Sequence, residues 1–442
     1  MLVRRAVDEA VRLGASEAEA YQVEERSIQV QFNSEDKNIK TVNSRGIGIR
    51  VAFGKRLGMY STTILDESEI VDAVEKACKI AKAAPEDPDW VSFNQKFGSI
   101  KVKNLYDRRI YELGPKDLVE RANSAIDLIE DYDEKVNPST GIIASSYEKV
   151  TLTNSSQEDL TKSGTGIAGY IMANGVEGDK HCNGIAYDSS RQLADFNYDR
   201  ISHKASERAL KFLDARQVEG GEMPVIIRNK VFGSILGVML SSAINADSVQ
   251  KGSSPLTGKM NESIAAENIM ITDNGRLDSG LNSQPFDDEG HPTQETPIIE
   301  NGVLRNYIYD HYTAQKDETE STGNGSRGYR SRVRPSVSNL ILKERGIKVE
   351  EMVEDTRKGL YIESVIGEWL SNTVSGELNA TVTHGYLIED GEISIPVKGL
   401  VIAGNFYDII KTGITGIGND TASNSGIYSP TVKIAKLSVA GK

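Results

Sequence analysis

Val3-Arg4-Arg5-Ala6-Val7-Asp8-Glu9-Ala10-Val11-Arg12-Leu13-Gly14, followed shortly by Ile28-Gln29-Val30-Gln31-Phe32, changes hydrophobic period within one short stretch. Val3, Ala6, Val7, Ala10 and Leu13 fall at helical spacing, and Gly14 stands where a left-handed C-terminal cap is usual. From Ile28 the apolar residues alternate with Gln29 and Gln31, which is the period of a half-buried strand. Two further strands are expected over 46–53 and 57–61, split by the turn-prone Gly54-Lys55-Arg56. A helix followed by a small antiparallel sheet therefore opens the chain.

The same grammar then recurs. Asp66, three residues before Glu69, starts a helix with Ile70, Ala73, Val74, Ala77, Ile80 and Ala81 on one stripe, ended by Pro85. It should cover the sheet, with Cys78 beside the stripe. The polar, proline-rich Ala84-Pro85-Glu86-Asp87-Pro88-Asp89 reads as a linker and puts the first boundary near residue 95. A helix after Pro115 (Leu118, Val119, Ala122, Ile126, Ile129) leads into β-rich sequence over 142–187 and a helix over 199–216. Asn33-Ser34, leading to Ser44-Arg45-Gly46-Ile47-Gly48, has a faint echo in Asn154-Ser155, leading to Ser163-Gly164-Thr165-Gly166-Ile167. Turn residues recur by chance, so the echo alone does not establish a repeat. Gly220-Gly221 introduces a short strand, Pro224-Val225-Ile226-Ile227. Beyond it lie an apolar helix around 231–244, a short one near 349–358, and otherwise strands and turns. The expected class is α+β: two small helix-plus-antiparallel-sheet units, 1–95 and 96–216, then a β-rich domain over 217–442.

Composition narrows the function. A chain of 442 residues exceeds the size at which one core keeps growing, so several folding units are expected. With 38% hydrophobic residues and no apolar run near the ~20 residues of a membrane-spanning helix, a membrane role is not expected. Acids at Asp8 and Glu9 stand where a secretory signal carries its apolar stretch, so a cytoplasmic protein is expected. Cys78 and Cys182 are too few for a disulfide framework or a four-thiolate zinc site, and read as reduced, buried thiols. The net charge of −13, with no basic block to offset it, disfavours nucleic acid as a partner.

Catalytic zinc needs two or three imidazole, thiolate or carboxylate ligands and commonly a glutamate base. The chain has five histidines, His181, His203, His291, His311 and His384; none is followed by Glu, and the closest pair is 20 positions apart. No HExxH-type helix exists, and each histidine reads as a loop or strand residue with its hydrogen bonds satisfied. His181 and Cys182 are adjacent, but neighbours on a strand face opposite ways. Asp287-Asp288-Glu289-Gly290-His291 reads as a solvated acidic turn ended by Gly290 and Pro292, with an oxygen-ligand cation site as the alternative. No Gly-x-Ser-x-Gly elbow or Walker-type loop is present. Gly413-Ile414-Thr415-Gly416-Ile417-Gly418-Asn419-Asp420 is followed by no helix, so it does not read as a dinucleotide loop.

Taken together, several segments resemble the TldD/PmbA family. They are Lys251-Gly252-Ser253-Ser254-Pro255-Leu256-Thr257-Gly258-Lys259, Phe286-Asp287-Asp288-Glu289-Gly290, Ile299-Glu300-Asn301-Gly302-Val303-Leu304 and Thr322-Gly323-Asn324-Gly325, followed by 385–393 and 417–420. The two N-terminal units fit more loosely, through Gly46-Ile47-Gly48-Ile49-Arg50-Val51. Catalytic TldD-type members of the family carry a His-Glu-x-x-x-His helix upstream of the Lys-Gly segment and a later cysteine ligand. Here, counting back from Lys251-Gly252, Gly237 and Ser242 stand in place of the histidines and Val238 in place of the glutamate, and no cysteine follows Cys182. Without ligands no metal would acidify a water, and Val238 moves no proton. Ile235, Leu236, Val238, Met239 and Leu240 instead suggest packing.

The resemblance thus implies a PmbA/TldE-type subunit that lacks a metal of its own. It implies a TldD-type catalytic partner carrying the zinc, and an extended or unfolded peptide as substrate. Asn324, Gly325 and Arg330, with Asp287 and Asp288, are the candidate substrate-binding residues. The alternatives are a homodimeric peptidase with a non-standard site built from Asp287, Asp288 or Glu289 with His291 or His311, and a regulatory binding protein of the DNA gyrase modulator kind.

Overall fold

Leu2–Arg12 (α1) buries the stripe its period requires, Val3, Ala6, Val7 and Ala10, and the chain leaves it through Gly14 at φ +91°. Three antiparallel strands follow: Glu17–Phe32 (β1), Lys37–Phe53 (β2) and Arg56–Thr62 (β3). Next comes Glu67–Ala83 (α2), whose first turn is capped by the Asp66 carboxylate accepting from the Glu69 N–H. Residues 84–107 carry no helix or strand. The pattern then recurs through Arg108–Glu112 (α3), Pro115–Glu130 (α4), Val136–Asn154 (β4), Leu160–Glu177 (β5), Lys180–Ser190 (β6) and Tyr198–Lys211 (α5). This computed structural model describes residues 1–157 and 159–442.

β1 and β4 pair antiparallel from Glu19 opposite Asn154 to Phe32 opposite Gly141, so both N-terminal units share one sheet, ordered β3-β2-β1-β4-β5-β6. That order is palindromic about the β1/β4 pair. Each half is a helix, a three-strand meander and a second helix; Asn33 directly follows, and Asn154 ends, the first strand of its meander. The faint sequence echo therefore occupies equivalent places in the fold.

The two-residue period of these strands assigns their faces. Ala18, Ala20, Ile47, Ile49 and Val51 pack under α1 and α2. Ile28, Val30 and Phe32 pack with α4 and α5. The opposite face carries Glu19, Tyr21 and Val23 from β1 and Gly46, Gly48 and Arg50 from β2, and it meets the C-terminal half. There Tyr21, Val23, Val150 and Leu152 pack with Phe97 and Tyr329. Gly46 and Gly48 are glycine because Tyr329 lies on them. A Cβ at Gly46 would fall 2.3 Å from the Tyr329 ring, and one at Gly48 would fall 2.2 Å from the Tyr329 carbonyl oxygen.

The C-terminal half begins with Gly221–Ile227 (β7), Asn229–Leu240 (α6) and Ala246–Gln250 (α7). It then builds two sheets. The first is ordered β10-β9-β8-β13-β20-β19. Its strands are Ile271–Asn274 (β8), Glu295–Glu300 (β9), Val303–Leu304 (β10), Leu340–Leu342 (β13), Ala422–Asn424 (β19) and Ile427–Ser429 (β20). Between its strands run His311–Lys316 (α8), the small ladder Gly325–Ser326 (β11) with Arg334–Pro335 (β12), and Val349–Glu354 (α9).

The second sheet contains β7, Lys358–Ile366 (β14), Glu377–Glu389 (β15), Glu392–Val397 (β16), Leu400–Asn405 (β17), Ile414–Ile417 (β18) and Val432–Ala440 (β21). β14 pairs with both β7 and β15, and β7, β21, β17 and β15 pair in turn, so five strands close into a ring. α6 packs into the core shared by both sheets through Phe232, Ile235, Leu236, Met239 and Leu240. The α+β class and β-rich C-terminal half are as expected, although α5 stops at Lys211, α6 at Leu240 and α9 at Glu354. No helix among the described residues is long and apolar enough to cross a membrane.

Because the atom facing Gly48 is backbone, the clash cannot be relieved by rotating a side chain. Gly48→Ala is expected to destabilise the protein by about 1–3 kcal/mol, read as a lower urea midpoint. An unchanged midpoint would mean that the Tyr329 loop does not lie on β2.

Candidate functional site

Three residues of interest lie at or just beyond the end of α6. Gly237 faces Ile427 of β20, and a Cβ there would come within 3.0 Å of the Ile427 Cγ1. Val238 is half-buried against the shared core, and Ser242 lies exposed in the turn after the helix ends. One turn earlier, the Ser234 hydroxyl donates to Glu368 at 2.7 Å. A side chain at 237 would press on Ile427, which would have to give by a few tenths of an ångström. Zinc is the metal implied by the resemblance, and these residues do not fit it: two have no donor side chain and the third offers a lone hydroxyl. Among the described residues no group of three His, Cys, Asp or Glu side chains converges as a cation site.

Asp287, Asp288 and Glu289 lie elsewhere and are not a solvated turn. All three are buried where the C-terminal half meets the sheet. Glu19 of β1, also buried, accepts from Arg50 at 2.7 Å and Arg327 at 2.6 Å. Arg50 continues to Glu289 at 3.3 Å and stacks 4.9 Å over the Phe93 ring, while Arg327 lies 4.4 Å over the Tyr21 ring. Lys162 of β5 donates to Asp288 at 2.7 Å, and the second Asp288 oxygen accepts the Arg327 N–H. Asp287 accepts three backbone N–H groups, from Glu289, His291 and Gly325, at 2.9–3.0 Å. The turn can be buried because three cations from distant parts of the chain, and the backbone of the neighbouring loop, take the place of water.

Four carboxyl groups, Glu19, Asp287, Asp288 and Glu289, face three cations, Arg50, Lys162 and Arg327. Asp287 touches none of the cations. Burial, and then the Glu289 charge, push its pKa up to about 8, and burial also raises Glu289. The pair therefore retains a proton near neutral pH, which balances the cluster.

Asn324 is buried beside this cluster. Its amide donates to Asp273 at 2.7 Å and to the Ser336 carbonyl, and its oxygen accepts from Thr322. Gly325 presses on Asp287 and Glu289, where a Cβ would lie about 3 Å from both carboxylates. Of the expected binding residues Arg330 alone is exposed, on the loop that carries Tyr329. Thus Asp287, Asp288, Asn324 and Gly325 come together in the fold, and Arg330 sits outside the cluster. Their partners Glu19, Arg50, Lys162 and Arg327 were not anticipated. The only signal for Glu19, Arg50 and Lys162 was a charge at an alternate position of a strand, which normally marks a solvated face, and Arg327 lies in a loop where a charge carries no signal.

The histidines separate into a half-buried pair, one buried ring and two remote residues. His291 Nε2 and His311 Nδ1 are 2.9 Å apart, and the Gln315 amide donates to the other His311 nitrogen at 2.9 Å. That leaves the His311 Nδ1–H to donate to His291, whose ring lone pair is thereby used. Burial, and then His311, push His291 down to about 3, and burial lowers His311, so both rings stay neutral. His384 Nε2 donates to the Asn183 carbonyl at 2.7 Å and lies 3.8 Å from the Cys182 sulfur. Burial raises that thiol and lowers His384 to about 4, which is the opposite of an activated cysteine pair. His181 faces away from Cys182, and His203 lies against Tyr132. Both cysteines are buried and free.

The retained proton gives a pH signature. Below about pH 4 the Asp287 carboxyl is protonated in folded and unfolded chains alike, and its stabilising contribution is complete. Between about pH 4 and 8 the folded protein keeps a proton that the unfolded chain has released, so stability falls as pH rises. Asp287→Asn should flatten this fall by up to about 1.4 kcal/mol per pH unit, measured as urea midpoints from pH 5 to 8. Parallel profiles for the two proteins would refute the shared proton.

Three family models tile this chain. They are described as PmbA/TldA metallopeptidase domain 1 (residues 18–81), central domain (108–213) and C-terminal domain (220–441). The metalloprotease PmbA homolog of Haemophilus influenzae is 27% identical over 446 residues, covering 99% of this chain and 94% of that one. A Thermotoga maritima structure, described as a candidate modulator of a DNA gyrase, superposes with a TM-score of 0.89 at 27% identity, covering 99% of each chain. TldE from Thermococcus kodakarensis shares the fold with a TM-score of 0.92 at 24% identity, covering 100% of each. With the C-terminal model alone spanning half the sequence and all three in chain order, the protein belongs to the PmbA/TldD family.

Proposed function

We propose that this chain is the non-catalytic subunit of a heteromeric metallopeptidase, and that it works beside a TldD-type subunit which alone supplies zinc and the catalytic base. The observation that carries this reading is the motif position on α6. Gly237, Val238 and Ser242 offer no ligand set, and Ile427 packs where a side chain at 237 would go, while the fold around them is kept. In this reading the chain contributes assembly and one wall of a channel for extended peptide. Alone in solution it would be expected as a homodimer. Two buried, unpaired thiols suit a reducing, cytoplasmic setting.

The strand edges of the C-terminal half offer a binding mode. Ring closure leaves β14, β7, β21, β17 and β15 with neighbours on both sides, whereas β19 ends its sheet and packs against α6. An extended peptide can add to such an edge by backbone hydrogen bonds, close to the motif position. β19 joins β20 through the two-residue turn Ser425-Gly426, both residues at positive φ, so Asn424 and Ile427 form the bonded pair and Ser423 directs its N–H and C=O outward. Arg330, on its exposed loop, is assigned to substrate contact; Asp287, Asp288, Asn324 and Gly325 hold that loop in place.

Burial of Asp287, Asp288 and Glu289, each held by cations or backbone N–H groups of the protein, weighs against a self-contained peptidase built on them. The net charge of −13 weighs against a regulatory role that requires DNA contact.

The test is to mix the purified chain with a TldD-type subunit and follow cleavage of an unfolded peptide. Cleavage should require both chains. Ser423→Pro, which removes an outward N–H from an edge strand, should lower the rate about tenfold without preventing assembly. Equal cleavage with and without this chain would end the proposal.

A further inference from the structure

Away from both places described above, a pocket of about 360 Å³ opens between α5 and the closed strand ring. Five cations line it, Arg200, Lys204, Arg208 and Lys211 from α5 and Arg228 after β7, against two carboxylates, Glu207 and Glu363. Phe212 and Tyr386 form an aromatic wall. Such an excess of positive charge is unexpected on a chain carrying −13 overall.

The pairing is incomplete. One Glu363 oxygen serves both Arg208 at 3.2 Å and Arg228 at 3.0 Å. Lys211 takes Glu207 at 2.7 Å, and Arg200 pairs with Asp188. Lys204, half-buried between them, makes no ion pair among the described residues. The buried Nε of Arg208 has no acceptor either. Burial, followed by the nearby Arg228 and Arg208, pushes Lys204 down to about 8, the mark of cations crowded without enough counter-charge. An oxyanion at this point would accept from Lys204 and the free guanidinium N–H groups and relieve that repulsion.

We propose that this pocket binds a small oxyanion, a carboxylate or phosphate group, with Lys204 as its principal contact and Arg200, Arg208 and Arg228 around it. The aromatic wall accommodates an organic body attached to the anionic group.

Calorimetric titration and thermal shift of the full-length protein test it, with ionic strength held constant by potassium chloride. Three probes are used: inorganic phosphate, citrate, and an N-acetylated pentapeptide with a free C-terminus, with its C-terminal amide as control. At least one oxyanion should bind with 1:1 stoichiometry and raise Tm as free ligand exceeds Kd. Lys204→Met should weaken that binding about tenfold or more, Lys204→Arg should restore much of it, and the remote Lys116→Met should leave it unchanged. Binding of the free-acid peptide but not its amide identifies a peptide C-terminus; preference for phosphate identifies a phosphate-bearing ligand. If Lys204→Met does not fold, the exposed Arg200→Met provides the same readout. No binding by any probe beyond the chloride control, or binding unchanged in these variants, overturns the proposal.

Discussion

The buried ionic cluster around Glu19 is the constraint on which the arrangement of the halves depends. Desolvating a carboxylate costs several kcal/mol unless cations and N–H groups replace the lost water. One Glu19 oxygen takes both Arg50 of its own sheet and Arg327 of the C-terminal half, and those two cations offset its charge only when the halves are together. Glu289 in turn needs Arg50, and Asp288 needs Lys162. Each half is left with unpaired buried charge if the other moves away, so the contact tolerates one register. Tyr329, seated on Gly46 and Gly48, adds a steric key to the same register.

A cluster of carboxylates and histidines in a protein of this family invites a catalytic reading, and its surroundings argue otherwise. The hydrogen bonds of Asp287, Glu289 and His311 close within the protein. On α6, where the resemblance would place a zinc motif, no ligand set is present. Gly237 is backed by Ile427, and the rest of α6 is committed to the core between two sheets.

The N-terminal half shows how a pseudo-repeat builds a platform. Two helix–meander–helix units join edge to edge through β1 and β4, which removes two exposed strand edges. All four major helices cover one face and leave the other for the C-terminal half. That half removes further edges by closing a ring and leaves the short β19 as a strand end beside α6.

Local pattern alone determined a good deal. The helical stripes of α1, α2 and α4, the alternation in β1, the Asp66 cap and the α+β class all follow from residue type and spacing. Those properties depend on near neighbours in the chain. Tertiary structure decided what distant residues meet. Glu19 and Arg50 look like solvent-facing positions of amphipathic strands, Asp287-Asp288-Glu289 looks like a wet turn, and Gly46 and Gly48 look like turn residues. Each is buried because a segment more than 200 positions away in sequence, or a whole opposing domain, supplies its partner. Whether a charge faces water or a counter-charge is set by which surfaces come together, and one strand's period cannot encode that.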